Sequence, residues 1–275
     1  MRLSQLTGIL EKAWHGSPAF VKPKFSLDKI GTGEGATAYG WGMYFASRQA
    51  VGAWYAEELS KNVFVYSDSM TPRQIMGLEE INLEVDQNKK LATLSPFEVY
   101  NMMVHRATVN AEDEWDRDAA YAAKNSLEKL KSLDPRKISR ATKYLYNVSI
   151  PEEDDYLDWD NSMKNQPADI LAKIKGSFKT IVGSMAVYRS EDFWDMTGKD
   201  FYNSIAMDAK GDINRAGQKK ASMLLHSVGI IGLKYLDGAS RHVTGDRSTR
   251  NYVIWDEDVI DINQVNGKVY TGTDK

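Results

Sequence analysis

An α+β fold is predicted for this chain of 275 residues by three observations. Apolar residues recur at helical spacing in several long segments, and short alternating or continuous apolar runs stand between them. Neither an internal repeat nor a low-complexity linker divides the sequence, so residues 1–275 read as a single domain with helical decoration. A hydrophobic fraction of 42% and a charged fraction of 27% are those of an ordinary globular protein, long enough to bury a core.

The elements follow in order. Residues 1–12 set Leu3, Leu6, Ile9 and Leu10 among Arg2, Gln5, Glu11 and Lys12, the pattern of a short amphipathic helix rather than a signal peptide. Residues 26–42 carry Gly31, Gly33, Gly35, Gly40 and Gly42, which no regular element tolerates, so this is a loop. Its glycine spacing is not the dinucleotide fingerprint of a doubly wound sheet. A helix is expected from Ser47 to Leu59, with Ser47 as N-cap and Val51, Tyr55 and Leu59 recurring along one face. Lys61 to Tyr66 is a candidate strand.

Ser95-Pro96-Phe97-Glu98 is a capping box with proline in the first turn, and Phe97, Tyr100, Val104 and Ala107 continue at helical spacing. A second helix runs from about Glu112 to Leu133 and stops before Pro135. Together these make a helical insertion at about 92–140. Lys143 to Ile150 alternates as a strand and ends at Pro151. The acidic run through Glu152, Glu153, Asp154, Asp155, Asp158 and Asp160 reads as a solvated turn, because it lacks the ligand spacing of a calcium loop. Helices are expected over Ile170–Lys175, Lys199–Ala209 and Arg215–Ser227, the last stopped by Gly229. Ile230 to Leu236 is a buried strand, Asp237-Gly238 a turn, and Asn251 to Trp255 the next strand.

Composition narrows the function classes. A net charge of -3 argues against a general polyanion binder, although a local basic patch stays open. With no cysteine there is no disulfide and no thiolate metal site, and four scattered histidines argue against a histidine-rich one. No window approaches the roughly 18 apolar residues of a membrane span. A cytoplasmic location without membrane or metal partners is the expectation.

Two motifs carry chemistry. Gly40 to Tyr55 sets Tyr44 at the end of an extended segment and Tyr55 eleven positions on in a helix, so both rings could face one cleft for a flat heteroaromatic group, with glycines admitting close backbone approach. Upstream, Trp14-His15-Gly16-Ser17-Pro18 offers an imidazole and an unobstructed peptide. Taken singly, His15 also reads as a structural histidine, and the two tyrosines as core.

His15-Gly16-Ser17, then Gly40-Trp41-Gly42-Met43-Tyr44-Phe45-Ala46, then Tyr55 resemble the nicotinamide pocket of ADP-ribosyltransferases related to diphtheria toxin and the poly(ADP-ribose) polymerases. A closer resemblance is to the ADP-ribosyltransferase-like domain of phage polyvalent proteins. It rests on Lys29-Ile30-Gly31-Thr32-Gly33-Glu34-Gly35 followed by Ala38-Tyr39-Gly40-Trp41-Gly42, on Leu157-Asp158-Trp159-Asp160, Gly232-Leu233-Lys234-Tyr235-Leu236-Asp237-Gly238 and Asn251-Tyr252-Val253-Ile254-Trp255-Asp256, and covers nearly the whole chain.

The resemblance implies an ADP-ribosyltransferase fold, a split, bent β core around an NAD cleft with helical insertions. It implies transfer of one ADP-ribose unit from NAD, as co-substrate, to a protein or nucleic-acid acceptor, in a phage or mobile-element effector of the bacterial cytoplasm. His15 would bond the ribose of the nicotinamide half and the Gly16 backbone the carboxamide. Ser17 and Phe45 would belong to the same pocket, while Tyr44 and Tyr55 would sandwich the ring. The polymerases carry a glutamate where Asn251 stands here, so chain elongation is not expected. Asp256 does not replace it, since five strand positions put it about 17 Å away on the opposite face; with Glu257 and Asp258 it reads as an exposed turn. Arg241, in the basic segment before Asn251, would meet the pyrophosphate or an acidic target, or else belongs to a solvated loop. A NAD glycohydrolase and a silent NAD-binding module remain the alternatives.

Overall fold

Strands β1 (Glu11–Ser17) and β2 (Met43–Ala46) run antiparallel with Trp14 opposite Ala46, and they lie at the middle of an eight-stranded sheet. The computed structural model describes residues 10–30, 38–61, 63–113, 115–185, 193–237 and 249–272. Gly31, Gly33, Gly35, Gly238 and Arg241 lie outside these, as does most of the expected N-terminal helix. That helix does not reach Lys12, because Glu11 already opens β1.

By their contacts the residues fall into two compact units, Met1–His15 with Val21–Ala53 and Leu145–Lys275, and Gly16–Phe20 with Trp54–Tyr144. The first holds the large sheet, completed by β5 (Tyr144–Ile150), β6 (Leu157–Asp158), β7 (Gly232–Leu236), β8 (Arg250–Ile254), β9 (Asp261–Val265) and β10 (Lys268–Val269). Its order is β10-β9-β5-β1-β2-β8-β7-β6. The sheet is mixed, since β6 joins β7 in parallel while β8 is antiparallel to both β2 and β7.

In the second unit β3 (Phe64–Tyr66) and β4 (Ile138–Arg140) form a two-stranded sheet beside helices α2 (Pro72–Gln87), α3 (Pro96–Ala111) and α4 (Arg117–Lys131). The Ser95–Glu98 capping box forms as expected. A second box, Thr71–Gln74 before Pro72, opens α2, which the sequence reading overlooked. The helix expected from Glu112 starts later because Asp116 caps it, accepting from the Ala119 N–H at 2.9 Å. Phe64, Ile81, Val85, Val99 and Leu130 build the core of this unit.

Helix α1 (Gln49–Lys61) begins two residues after Ser47. Ser47 is no N-cap, because its hydroxyl accepts the Arg250 N–H at 3.1 Å and its own N–H donates to the Arg250 carbonyl at 2.9 Å, which commits it to β8. The buried stripe of α1 is Gly52, Ala56 and Ser60 rather than Val51, Tyr55 and Leu59. A Cβ on Gly52 would stand 2.8 Å from the Trp14 Cβ, so small residues, not large apolar ones, set that face.

Helices α5 (Ala168–Gly176), α6 (Phe178–Val182), α7 (Gly198–Ala206) and α8 (Arg215–Ser227) supply Ile174, Ile181, Phe201 and Leu225 to a core shared with Leu233 and Val253 of the sheet. After α8 the Gly229 N–H donates to the His226 carbonyl and the Ile230 N–H to the Leu225 carbonyl, a Schellman stop at the glycine expected to provide it.

The acidic run is only partly a solvated turn. Asp158 is 4% exposed and its carboxylate accepts the N–H groups of Asp160 and Asn161 and the Asn161 side-chain amide, while Asp160 accepts the Leu236 N–H at 2.7 Å. These aspartates brace β6 against β7. Asp256 is likewise buried rather than exposed, capping a 3-10 turn through the Asp258 N–H and standing 3.4 Å from His226.

Candidate functional site

Strands β1, β2 and β8 lie side by side and bring three of the expected residues into one region of the first unit: His15, Tyr44 and Asn251. The register sets Asn251 opposite Ala46 on one side and opposite Tyr235 on the other, with Tyr44 opposite Val253. Directly paired residues share a face and alternate residues along a strand return to it. Tyr44, Ala46, Asn251, Val253 and Tyr235 therefore line one face of the sheet.

His15 does not join them through its ring. Its Nδ1 lies 2.7 Å from the Tyr44 carbonyl oxygen, and its imidazole packs edge-on to Phe25 at 5.0 Å and tilted against Phe45 at 5.5 Å. Phe45 and Tyr44 are strand neighbours and point to opposite faces, so the imidazole grips the main chain of Tyr44 while the phenol stands on the other side. Burial lowers the pKa of His15 below the ordinary 6.5, partly opposed by its bond to Tyr44. The ring is neutral near pH 7, and because a carbonyl only accepts, Nδ1 carries the hydrogen and Nε2 the lone pair.

The Tyr44 hydroxyl closes its own loop, donating to the Gly40 carbonyl at 2.7 Å and accepting the Tyr39 N–H at 3.1 Å. Tyr39 then stacks on Tyr235 with ring centroids 3.7 Å apart and planes at 9°. The next residue, Trp41, is pinned from both sides: its N–H donates to the Tyr202 hydroxyl at 3.2 Å and its carbonyl accepts from the Ser222 hydroxyl at 2.7 Å. The glycines here serve packing rather than ligand access. Gly40 has φ +99° and a Cβ would stand 2.6 Å from the Tyr202 oxygen, while one on Gly42 would stand 2.5 Å from Val253.

Asn251 is 8% exposed, and its Oδ1 has no hydrogen-bond partner among the described residues. A buried acceptor left unpaired costs about 1–3 kcal/mol, so Oδ1 is open to a donor that the described residues do not supply. Gly16 and Ser17 end β1 and are buried, the Ser17 hydroxyl accepting the Ala19 N–H at 3.1 Å. Tyr55 is 46% exposed on α1 and packs edge-on to Trp54 at 5.0 Å. It belongs to the second unit and Tyr44 to the first. The sequence reading assigned no role to Tyr39 or Tyr235, although both sit inside motifs it singled out.

No protein-family model matches the chain, and neither a curated protein nor a solved structure shows significant similarity to it. Among the described residues no cluster of three or more His, Asp or Glu could hold a metal ion, and no helix is long and apolar enough to cross a membrane.

Proposed function

We infer that this chain is a mono-ADP-ribosyltransferase of the ADP-ribosyltransferase fold, moving one ADP-ribose unit from NAD to a macromolecular acceptor. The observation that carries this reading is the buried Oδ1 of Asn251, unpartnered among the described residues, on the sheet face that also bears the Tyr44 ring. A ribose hydroxyl is the kind of donor that would satisfy it.

Cleavage of the N-glycosidic bond of NAD leaves positive charge on the ribose and needs little proton transfer at the leaving group. The site therefore needs a ring platform, hydroxyl acceptors and no nucleophilic triad. Tyr44 supplies the platform, Asn251 Oδ1 accepts from a ribose hydroxyl, and His15 fixes the Tyr44 main chain from the opposite face of the sheet. An effector of a phage or mobile element, working in a bacterial cytoplasm, is the setting the sequence resemblance implies.

Incubation with NAD labelled in the adenylate half tests the reading. Label on a protein or nucleic acid supports transfer, free ADP-ribose means that water is the acceptor, and unchanged NAD that still binds leaves a binding module.

A further inference from the structure

A net charge of -3 hides an uneven distribution. Residues 170–185 and 213–228, which hold most of α5 and all of α6 and α8, carry Lys173, Lys175, Lys179, Arg215, Lys219 and Lys220 and no aspartate or glutamate. The fold joins the two segments within the first unit. The Lys220 ammonium donates to the Ser184 carbonyl at 3.4 Å, just beyond the end of α6, which carries Lys179. Lys175, near the end of α5, sets its Nζ 5.4 Å from the centre of the Trp194 ring. At the other end Lys219 sets its Nζ 5.1 Å from the ring of Trp41, in the loop that leads to Tyr44. Lys175, Lys179, Lys219 and Lys220 are all exposed. None of these four forms an ion pair with a described residue, whereas Lys164, whose N–H donates to the Trp194 carbonyl, is neutralised by Asp195 at 2.7 Å. The strip also holds an aromatic ring. Trp194 is fixed edge-on to Phe193 at 5.0 Å and stays 38% exposed. A fixed, part-exposed indole with an ammonium over it suits a base beside its phosphate.

We propose that this strip is a docking surface for single-stranded nucleic acid, in which Lys175, Lys179, Lys219 and Lys220 meet backbone phosphates and Trp194 stacks on a base. Unpaired lysines in a row complement the regular charge of a phosphate backbone. An acidic protein would use the charge alone, and a duplex keeps its bases stacked on one another, so the exposed ring favours an open strand. Because the strip ends at Trp41, a docked strand passes the loop that holds Tyr44. The inference concerns docking and stands or falls apart from the NAD reading.

Fluorescence anisotropy with a labelled oligothymidine of about 16 nucleotides, in the absence of NAD, tests it. Binding should weaken with added salt along a double-logarithmic slope of about -3, roughly 0.7 for each lysine engaged. Lys179→Glu and Lys220→Glu, both at exposed positions, should each weaken binding about tenfold and make the slope shallower. Trp194→Ala should cost about tenfold with the slope unchanged, and Trp194→Phe should retain most of the affinity. Poly-aspartate of similar length, phosphatidylserine vesicles and the matching duplex should all bind wild type at least about tenfold more weakly than the single strand. Failure of wild type to bind the single strand at low salt, affinity untouched by both lysine substitutions, or equal binding of any of the three other probes would overturn the assignment. The comparison among probes decides the matter even if Trp194→Ala does not fold.

Discussion

The His15 imidazole holds the main-chain oxygen of Tyr44 at 2.7 Å, and not its ring. One residue of β1 therefore fixes the strand that presents the tyrosine, from the opposite face of the sheet. Burial lowers the His15 pKa, so protonation is resisted in the folded chain. The folded value lies below the unfolded one, so the unfolded chain binds more protons between them. The stability from neutral His15 is complete above about 6.5 and is lost as pH falls through the folded value. Denaturant unfolding between pH 7.5 and 5 should show wild type losing more stability than His15→Gln; equal losses would remove His15 as the source.

Asn251 is held in the core with an acceptor that no described residue pairs, so its removal should favour the fold. Asn251→Leu is expected to raise the unfolding free energy by about 1 kcal/mol while abolishing NAD cleavage. A fall in the thermal midpoint would show that Oδ1 is satisfied in the native protein.

The strands and helices with large apolar residues at regular spacing were legible in the sequence: β5, β7, β8 and α8 lie within a residue or two of their expected bounds. So were the Ser95 cap and the Gly229 stop, which are local chemistry. The buried face of α1 was not legible because it is made of Gly52, Ala56 and Ser60, which carry almost no hydrophobic signal. Asp158 and Asp256 were misread because a carboxylate bound by main-chain N–H groups looks, in sequence, like one bound by water. The candidate site was visible in the sequence only as residue types. That His15 and Tyr44 face opposite ways, and that Asn251 shares a face with Tyr44, follows only from register.

Gly40 has its Cα against Tyr202 at φ +99°, so any side chain there meets both backbone strain and a collision. Gly40→Ala should cost about 2 kcal/mol or more in chemical denaturation and loosen the hold of Tyr202 on Trp41. A cost under about 0.5 kcal/mol would mean that the loop packs otherwise.

Two substitutions on α1 separate its packed face from its exposed one. Gly52→Ala should destabilise by about 1–3 kcal/mol, because its Cβ meets Trp14. Tyr55→Ala, at a half-exposed position, should change stability by less than about 0.5 kcal/mol. Equal costs in thermal unfolding would contradict this division of the helix.

Release of nicotinamide from NAD by the purified chain tests the central claim most directly. Wild type should release it, and His15→Ala and Tyr44→Ala, each verified as folded, should not. If both variants release nicotinamide at the wild-type rate, the pocket lies elsewhere; if wild type releases none, the chain is not a transferase of this kind.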